Sequence, residues 1–261
     1  MTSGPHADGT CPICSSTRGF TQVGPNIRED LLCDECGANA RRRHVGAIVA
    51  ELCGATGIQE LRHGPLPKQV YAAGASGPLF DNLKHVPGFT ASDYIDGHAP
   101  GQPIDEYATH QDIEALAFPD ETFDVVVTED VLEHVRRPEQ AFAEIARVLK
   151  VGGVHVCTVP MFLDRPTLVR VDTSGPEDVM LMEPEWHGDP IRGQILAYRT
   201  FGVDLFAELA AAGFDVELRR PTWENRHLGI YNADVLVCTL ARRASSAPQR
   251  ASRWSRRLSG R

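Results

Sequence analysis

The chain has 261 residues, 42% hydrophobic and 23% charged, a composition typical of a globular protein with one large domain and a small appendage. It contains no apolar run of the roughly 20 residues that a membrane-spanning helix needs, and Met1 to Thr10 lack the pattern of a secretory signal. We therefore expect a cytoplasmic protein without a membrane partner. The formal net charge of -9 disfavours a broad nucleic-acid surface, because such surfaces are rich in Lys and Arg.

Cysteines near the N-terminus form two Cys-x-x-Cys pairs, separated by 18 residues: Cys11 with Cys14 and Cys33 with Cys36. In a reducing compartment such pairs indicate metal ligation before disulfides. Each pair can present two thiolates from a tight turn, and two pairs complete a tetrahedral shell with no open position. The spacing therefore predicts a structural zinc site in a module over residues 1–40.

The rest of the chain divides by composition. Residues 41–67 are predicted to form a linking helix and loop, because apolar side chains recur there at helical spacing. Over residues 68–241, short apolar runs alternate with helical stretches, the pattern of an α/β sheet with helices on both faces. Residues 161–199 interrupt this rhythm and are predicted to be an inserted lid. Residues 242–261 hold seven arginines and no acid, which predicts a basic disordered tail.

The predicted domain has seven candidate strands: 69–73, 88–94, 107–111, 123–128, 153–159, 214–219 and 233–240. In an open α/β sheet the ligand crevice lies beyond the carboxyl ends of the strands. Small or acidic residues and their neighbours lie just past the first four strands: Gly74, Ser76, Gly77, Asp93, Tyr94, Asp112, Ile113 and Glu129. Glycines let a backbone approach a ligand closely, and carboxylates accept from ribose hydroxyls or an adenine amine. The set suits S-adenosylmethionine, whose sulfonium also attracts acids.

The segments FPDETFDVVV at 118–127 and VLEHV at 131–135 resemble class I S-adenosylmethionine-dependent methyltransferases, in particular the type 11 group. The resemblance extends over residues 68–240. It implies a Rossmann-like, doubly wound sheet of seven strands in the order 3-2-1-4-5-7-6, with the last strand antiparallel. It also implies a ribose role for Asp93, an adenine role for Asp112 with Ile113, and a methionine role for the loop at Gly74.

Methyl transfer from a sulfonium is an in-line displacement, so the protein chiefly aligns the nucleophile and, where needed, removes a proton. Histidine is the usual base near neutral pH. His187, in the predicted lid, is the first candidate, and Asp189 is expected to orient its ring. His134, just beyond the fourth predicted strand, is the second.

Three functions remain open from the sequence. The first is a methyltransferase for a small-molecule or sugar-like acceptor, favoured by the acidic body and the long lid. The second is an RNA methyltransferase that uses the zinc module as a grip, motivated by the basic run Arg41–His44 and the arginine-rich tail. The third is a non-catalytic scaffold. It is motivated by the first loop, where the family usually has a preceding acid and three spaced glycines but this chain has a different set: Ala72, Gly74, Ser76 and Pro78.

Overall fold

The computed structural model describes residues 6–189 and 191–241, so the predicted tail lies outside the described residues. Within those ranges, none of the helices has both the length and the hydrophobicity that crossing a bilayer requires. The N-terminal part contains a three-stranded antiparallel sheet in the order β1-β2-β3, two α-helices and a 3-10 helix: β1 His6–Ala7, β2 Phe20–Gln22, α1 Ile27–Asp30, β3 Leu31–Cys33, α2 Ala40–Leu52 and the 3-10 helix Ile58–Arg62.

Helix α2 has clear start and stop signals. The Asn39 side chain caps its N-terminus by accepting a hydrogen bond from the Arg42 backbone N–H at 2.8 Å. After Cys53 the chain turns at Gly54, whose φ of +75° favours glycine. The predicted linking helix thus exists and begins one residue earlier than expected.

The central sheet follows in chain order. Its first part contains five strands and their connecting helices: β4 Val70–Ala73, α3 Pro78–Leu83, β5 Phe89–Asp93, β6 Ala108–His110, β7 Phe123–Glu129, a 3-10 helix Leu132–His134, α4 Pro138–Val148 and β8 Leu149–Thr158. The last part completes it: α5 Leu205–Ala211, β15 Phe214–Arg219, a 3-10 helix Trp223–Leu228 and β16 Val235–Leu240.

The seven strands are ordered β15-β16-β8-β7-β4-β5-β6. Neighbouring strands among β4 to β8 pair in parallel, whereas β16 runs antiparallel to both β8 and β15. Counted in chain order within the sheet, this is the order 3-2-1-4-5-7-6 with an antiparallel last strand. The fold expected from the resemblance is confirmed.

The N-terminal module shares a hydrophobic core with one face of this sheet. Val125 and Val127 of β7 lie in the same buried cluster as Ile13 of the module and Val45 of α2. Val126, between them, points to the other face and packs with residues of α4 and α5, as the two-residue period of a strand requires. The sheet is therefore covered on both faces, with the cysteine module forming part of one cover.

The insertion between β8 and α5 consists of three two-stranded antiparallel pairs: β9 Leu168–Val169 with β14 Arg199–Thr200, β10 Val171–Asp172 with β11 Val179–Met180, and β12 Glu185–Asp189 with β13 Gly193–Ala197. It carries several exposed apolar side chains, among them Met180, Leu181 and Trp186. We use the name lid for residues 161–199.

Candidate active site

The carboxyl ends of β4, β5 and β7 bring the loop of small residues and the first candidate carboxylate together. The backbone N–H of Gly74 donates to the Ser92 carbonyl at 2.8 Å, which holds the loop against β5. Asp93 Oδ1 accepts from the Tyr94 N–H at 2.8 Å, and Oδ2 lies 3.5 Å from the Ala75 nitrogen. Burial raises the pKa of the Asp93 carboxyl. Its side chain thus lies beside the loop as a partly buried acceptor.

The loop conformation depends on its glycines. Gly74 and Gly77 have φ values of +154° and +87°, which residues with a Cβ rarely adopt. Ser76, between them, is exposed. Although the spacing of glycines departs from the family pattern, Gly74 and Gly77 occupy the loop positions whose positive φ values favour glycine.

Tyr94, Asp112 and Ile113 lie on the next part of the same edge. The Tyr94 side chain is exposed, whereas Ile113 is buried. Asp112 Oδ1 accepts from the Glu114 N–H at 2.9 Å and so caps a turn. Burial raises the pKa of the Tyr94 hydroxyl, and the Asp96 and Asp112 carboxylates raise it further. Tyr94 and Asp112 are therefore close enough to interact electrostatically.

The N-terminal module supplies arginines to the end of β7. Arg41 Nη1 donates to Glu129 Oε2 at 3.0 Å, and Arg41 Nε lies 3.1 Å from Asp130 Oδ2. Arg28 donates to both oxygens of Asp130, at 2.9 and 3.2 Å. Although burial alone raises the pKa of Asp130, Arg41 and Arg28 outweigh it and lower the pKa. Glu129 is thus paired with helix α2, and Asp130 with both α2 and the module.

Arg42 reaches the glycine loop. A Cβ at Gly77 would lie 2.9 Å from the Arg42 guanidinium carbon, so the guanidinium occupies the space that a side chain there would need. Arg42 also acts electrostatically on Glu129. From the sequence, the run Arg41–His44 was notable only for its charge.

The hairpin of β12 and β13 extends over Asp93. Arg192, near its turn, donates to Asp189 Oδ2 at 2.8 Å and lies 3.5 Å from Asp93 Oδ1. The guanidinium carbon stands 5.8 Å from the centre of the Tyr94 ring. The Arg192 guanidinium therefore lies between the Asp93 and Asp189 carboxylates.

The two candidate histidines are in contact. His187 Nδ1 lies 3.3 Å from His134 Nε2, with Glu133 beside both rings. Glu185 Oε1, rather than Asp189, accepts from His187 Nε2, at 3.1 Å. The neighbouring Glu133 and Glu185 carboxylates raise the pKa of His187 to about 9, against the opposing effect of burial. His187 thus lies between two carboxylates and in contact with His134.

The four predicted zinc ligands converge in the module. Their Sγ atoms all lie within 4.8 Å of one another, with Cys11 to Cys36 at 3.8 Å and Cys14 to Cys33 at 3.7 Å. Arg43 is fully buried nearby, where its guanidinium stacks on Phe20 at 4.2 Å. Burial lowers the pKa of Arg43 to about 10, while charge on the four cysteines acts in the opposite direction.

Part of the chain is similar to known proteins. Residues 87–157 match the family described as "Methyltransferase domain". The Ubiquinone biosynthesis O-methyltransferase of Maricaulis maris (strain MCS10) is 31% identical over 142 residues, which are 53% of this chain and 50% of that protein. An uncharacterized methyltransferase of Schizosaccharomyces pombe is 50% identical over 42 residues, 16% of this chain and 15% of that protein. The chain thus spans at most about half the length of these relatives.

Among solved structures, an amino pentose methyltransferase from Micromonospora echinaspora has 15% sequence identity and a TM-score of 0.47, over 78% of this chain and 92% of that chain. An S-adenosylmethionine-dependent methyltransferase from Mesorhizobium loti has 17% identity and a TM-score of 0.44, over 77% and 97%. Residues 87–157 of the chain are thus similar to a methyltransferase domain, and they lie within a seven-stranded sheet of order 3-2-1-4-5-7-6.

Proposed function

We propose that the protein is an S-adenosylmethionine-dependent methyltransferase, of EC class 2.1.1, that transfers a methyl group in line to a small-molecule or sugar-like acceptor. One observation carries the proposal. Asp93, the loop at Gly74 and the Arg42 guanidinium meet at the carboxyl edge of the sheet, beneath a lid that carries His187. The family match at residues 87–157 supports the same reaction.

Each part of the cofactor has a proposed partner. Asp93 accepts from the ribose hydroxyls, and Asp112 accepts from the adenine amine, with Ile113 and Tyr94 against the ring. The methionine end lies along Gly74, Ser76 and Gly77, where its carboxylate meets Arg42 in a charge-assisted pair. Glu129 is held nearby by Arg41 at 3.0 Å, and its negative charge favours the sulfonium.

The four cysteines are proposed to hold a structural zinc ion. In a tetrahedral shell with zinc–sulfur bonds of about 2.3 Å, the sulfur atoms lie about 3.8 Å apart. The observed Sγ distances of 3.8 and 3.7 Å fit that edge. Arg43, buried beside the cluster, compensates the excess negative charge of four thiolates around one divalent ion.

On the acceptor side we propose His187 and His134, which face each other where the lid meets the segment after β7. The O-methyltransferase among the relatives supports an oxygen atom as the methyl acceptor. The chain carries a net negative charge, so a small acceptor suits it better than a polyanionic acceptor does.

The RNA-methyltransferase alternative loses one of its two supports. Arg41, Arg43 and His44 are buried, and Arg42 lies against the loop at Gly77. These side chains are engaged within the fold, so they do not form a basic surface for phosphates. The arginine-rich tail, the other support, lies outside the described residues.

The activity is tested with S-adenosylmethionine carrying a labelled methyl group, incubated with hydroxylated aromatic compounds and sugars. We expect label in at least one acceptor, with equimolar S-adenosylhomocysteine formed, and loss of transfer in Asp93→Ala. Asp215→Ala serves as the matched control, because Asp215 is exposed on β15, remote from the site. Absence of both methyl transfer and cofactor binding would instead support the scaffold alternative.

A further inference from the structure

Three ligand atoms converge where the lid meets the 3-10 helix after β7. His187 Nδ1 lies 3.3 Å from His134 Nε2, and Glu133 Oε1 lies 3.6 Å from His134 Nε2 and 3.7 Å from His187 Nδ1. The three atoms form a nearly equilateral triangle. Glu133 and His134 are adjacent in the chain, whereas His187 comes from the lid.

Glu133 is a buried carboxylate whose possible counterions are the His134 and His187 rings. Its side chain is 0% exposed, and neither oxygen has a hydrogen-bond partner in the described part of the chain. An ionised carboxylate removed from water without compensation costs several kcal/mol. A positive charge beside Glu133 would offset this cost. The two imidazole nitrogens lie on the side where such a charge would be bound.

The second nitrogen of each ring already has a partner. His134 Nδ1 lies 2.8 Å from the Leu196 carbonyl, and His187 Nε2 lies 3.1 Å from Glu185 Oε1. Glu185 is itself paired with Arg170. Carbonyls and carboxylates accept hydrogen bonds, so these contacts place a proton on the outer nitrogens and turn a lone pair of each ring toward Glu133. Metal-binding histidines are oriented in this way in other proteins.

We propose that Glu133, His134 and His187 bind a divalent transition-metal ion such as Zn²⁺, at a site separate from the four cysteines. Ligand atoms about 2.1 Å from a tetrahedral metal lie about 3.4 Å apart, which matches the triangle. Three protein ligands leave a fourth position open, the arrangement of catalytic rather than structural zinc sites. The His187 side chain is 28% exposed, so the open side faces the lid surface.

The open position defines the acceptor that the site would take. On the proposed methyltransferase function, it accepts an oxygen donor, such as a phenolic or sugar hydroxyl, and a cation there favours the deprotonated oxygen. The metal site itself rests only on the three converging side chains.

The test measures metal binding to the full-length protein. The protein is stripped of loosely held metal while the cysteine site stays loaded with zinc, and it is then titrated with Co²⁺ under anaerobic conditions. We expect about one further equivalent to bind with visible d–d absorption that lacks sulfur-to-metal charge transfer, because the ligands are nitrogen and oxygen. Elemental analysis after gel filtration counts both ions.

Variants connect the second ion to its ligands. His187→Ala and Glu133→Gln are each expected to weaken Co²⁺ binding on the order of 100-fold. Matched controls on exposed side chains, His63→Ala and Glu183→Gln, are expected to bind as the wild type does. His187 is partly exposed on the lid, so its variant tests the site without disturbing the core.

Failure of the wild type to bind a second equivalent overturns the proposal. Retention of the second ion in both ligand variants overturns it as well. Titration of the wild type with S-adenosylhomocysteine is run in parallel. If the wild type does not bind S-adenosylhomocysteine, that result counts against the proposed methyltransferase function and leaves the metal result standing.

Discussion

At the scale of single residues, position at a strand end identified candidates better than residue type did. Asp93 ends β5 and lies beside the loop at Gly74, as the strand pattern suggested. Glu133 was missed because burial of a carboxylate is set by the lid and the sheet together, and a local pattern does not report it. Glu185 was missed for a related reason, because it contacts His187 two residues along strand β12, which no apolar period predicted.

Asp93→Asn is expected to weaken S-adenosylhomocysteine binding about 10- to 100-fold, because a hydrogen bond to a charged group contributes about 1.5–3 kcal/mol. The substitution keeps the size of the side chain and removes its charge. Calorimetric titration gives the dissociation constants, with Asp215→Asn as the control for folding and surface charge. Equal affinity in Asp93→Asn and the wild type would remove Asp93 from the ribose site.

The ion pair of Asp130 with Arg28 and Arg41 gives a pH-dependent prediction. The folded pKa of Asp130 is below its ordinary value, so its stabilising effect is complete above about pH 4 and disappears as pH falls through the folded pKa. Asp130→Asn is expected to lower the free energy of unfolding by about 3 kcal/mol at pH 7. Denaturant unfolding from pH 7 to pH 2 should show this difference shrinking in acid. A difference that stays constant with pH would contradict the ion-pair account.

At the scale of elements, helices and strands with a sustained period were predicted to within a few residues, and β15 matches Phe214–Arg219 at both ends. The start of β8 was misjudged by four residues, because Gly152 and Gly153 read as a helix stop but lie inside the strand. The hairpins of the lid were not foreseen. Their strands are short, and β12 contains a glycine and alternating polar residues that give no apolar period.

Helix α2 is the element that connects the module to the proposed cofactor site. Arg42→Ala is expected to weaken binding of S-adenosylhomocysteine about 10-fold, because it removes the charge proposed to pair with the methionine carboxylate. Arg62→Ala, an exposed arginine on the following 3-10 helix, is the matched control. Affinity is measured by calorimetry at two salt concentrations. Loss of affinity in both variants alike would point to general charge rather than to Arg42.

At the scale of the whole molecule, the strand order followed from the family resemblance, whereas the contact between module and sheet did not. The sequence predicted a small N-terminal zinc module followed by a linking helix and loop, but not which faces of the module would be buried. Ile13 and Phe20 of the module share one buried cluster with Val70 and Val125 of the sheet. Such long-range packing depends on which faces of the module and the sheet meet. The apolar period of either segment does not indicate those faces.

Removal of zinc from the cysteine site is therefore expected to destabilise the whole protein. Because the core is shared, we expect one cooperative thermal transition that moves to lower temperature on strong chelation, together with weaker cofactor binding through Arg41 and Arg42. Differential scanning calorimetry with and without chelator checks this. A separate low-temperature transition for the module, with the main transition unmoved, would mean that the module folds independently.

The central claim is a cofactor site at the carboxyl edge of the sheet, and its most direct test is calorimetric titration of the full-length, zinc-loaded protein with S-adenosylmethionine and S-adenosylhomocysteine. The expected result is saturable binding of either ligand at about one molecule per chain. Absence of binding by both ligands to the folded wild-type protein would contradict the claim.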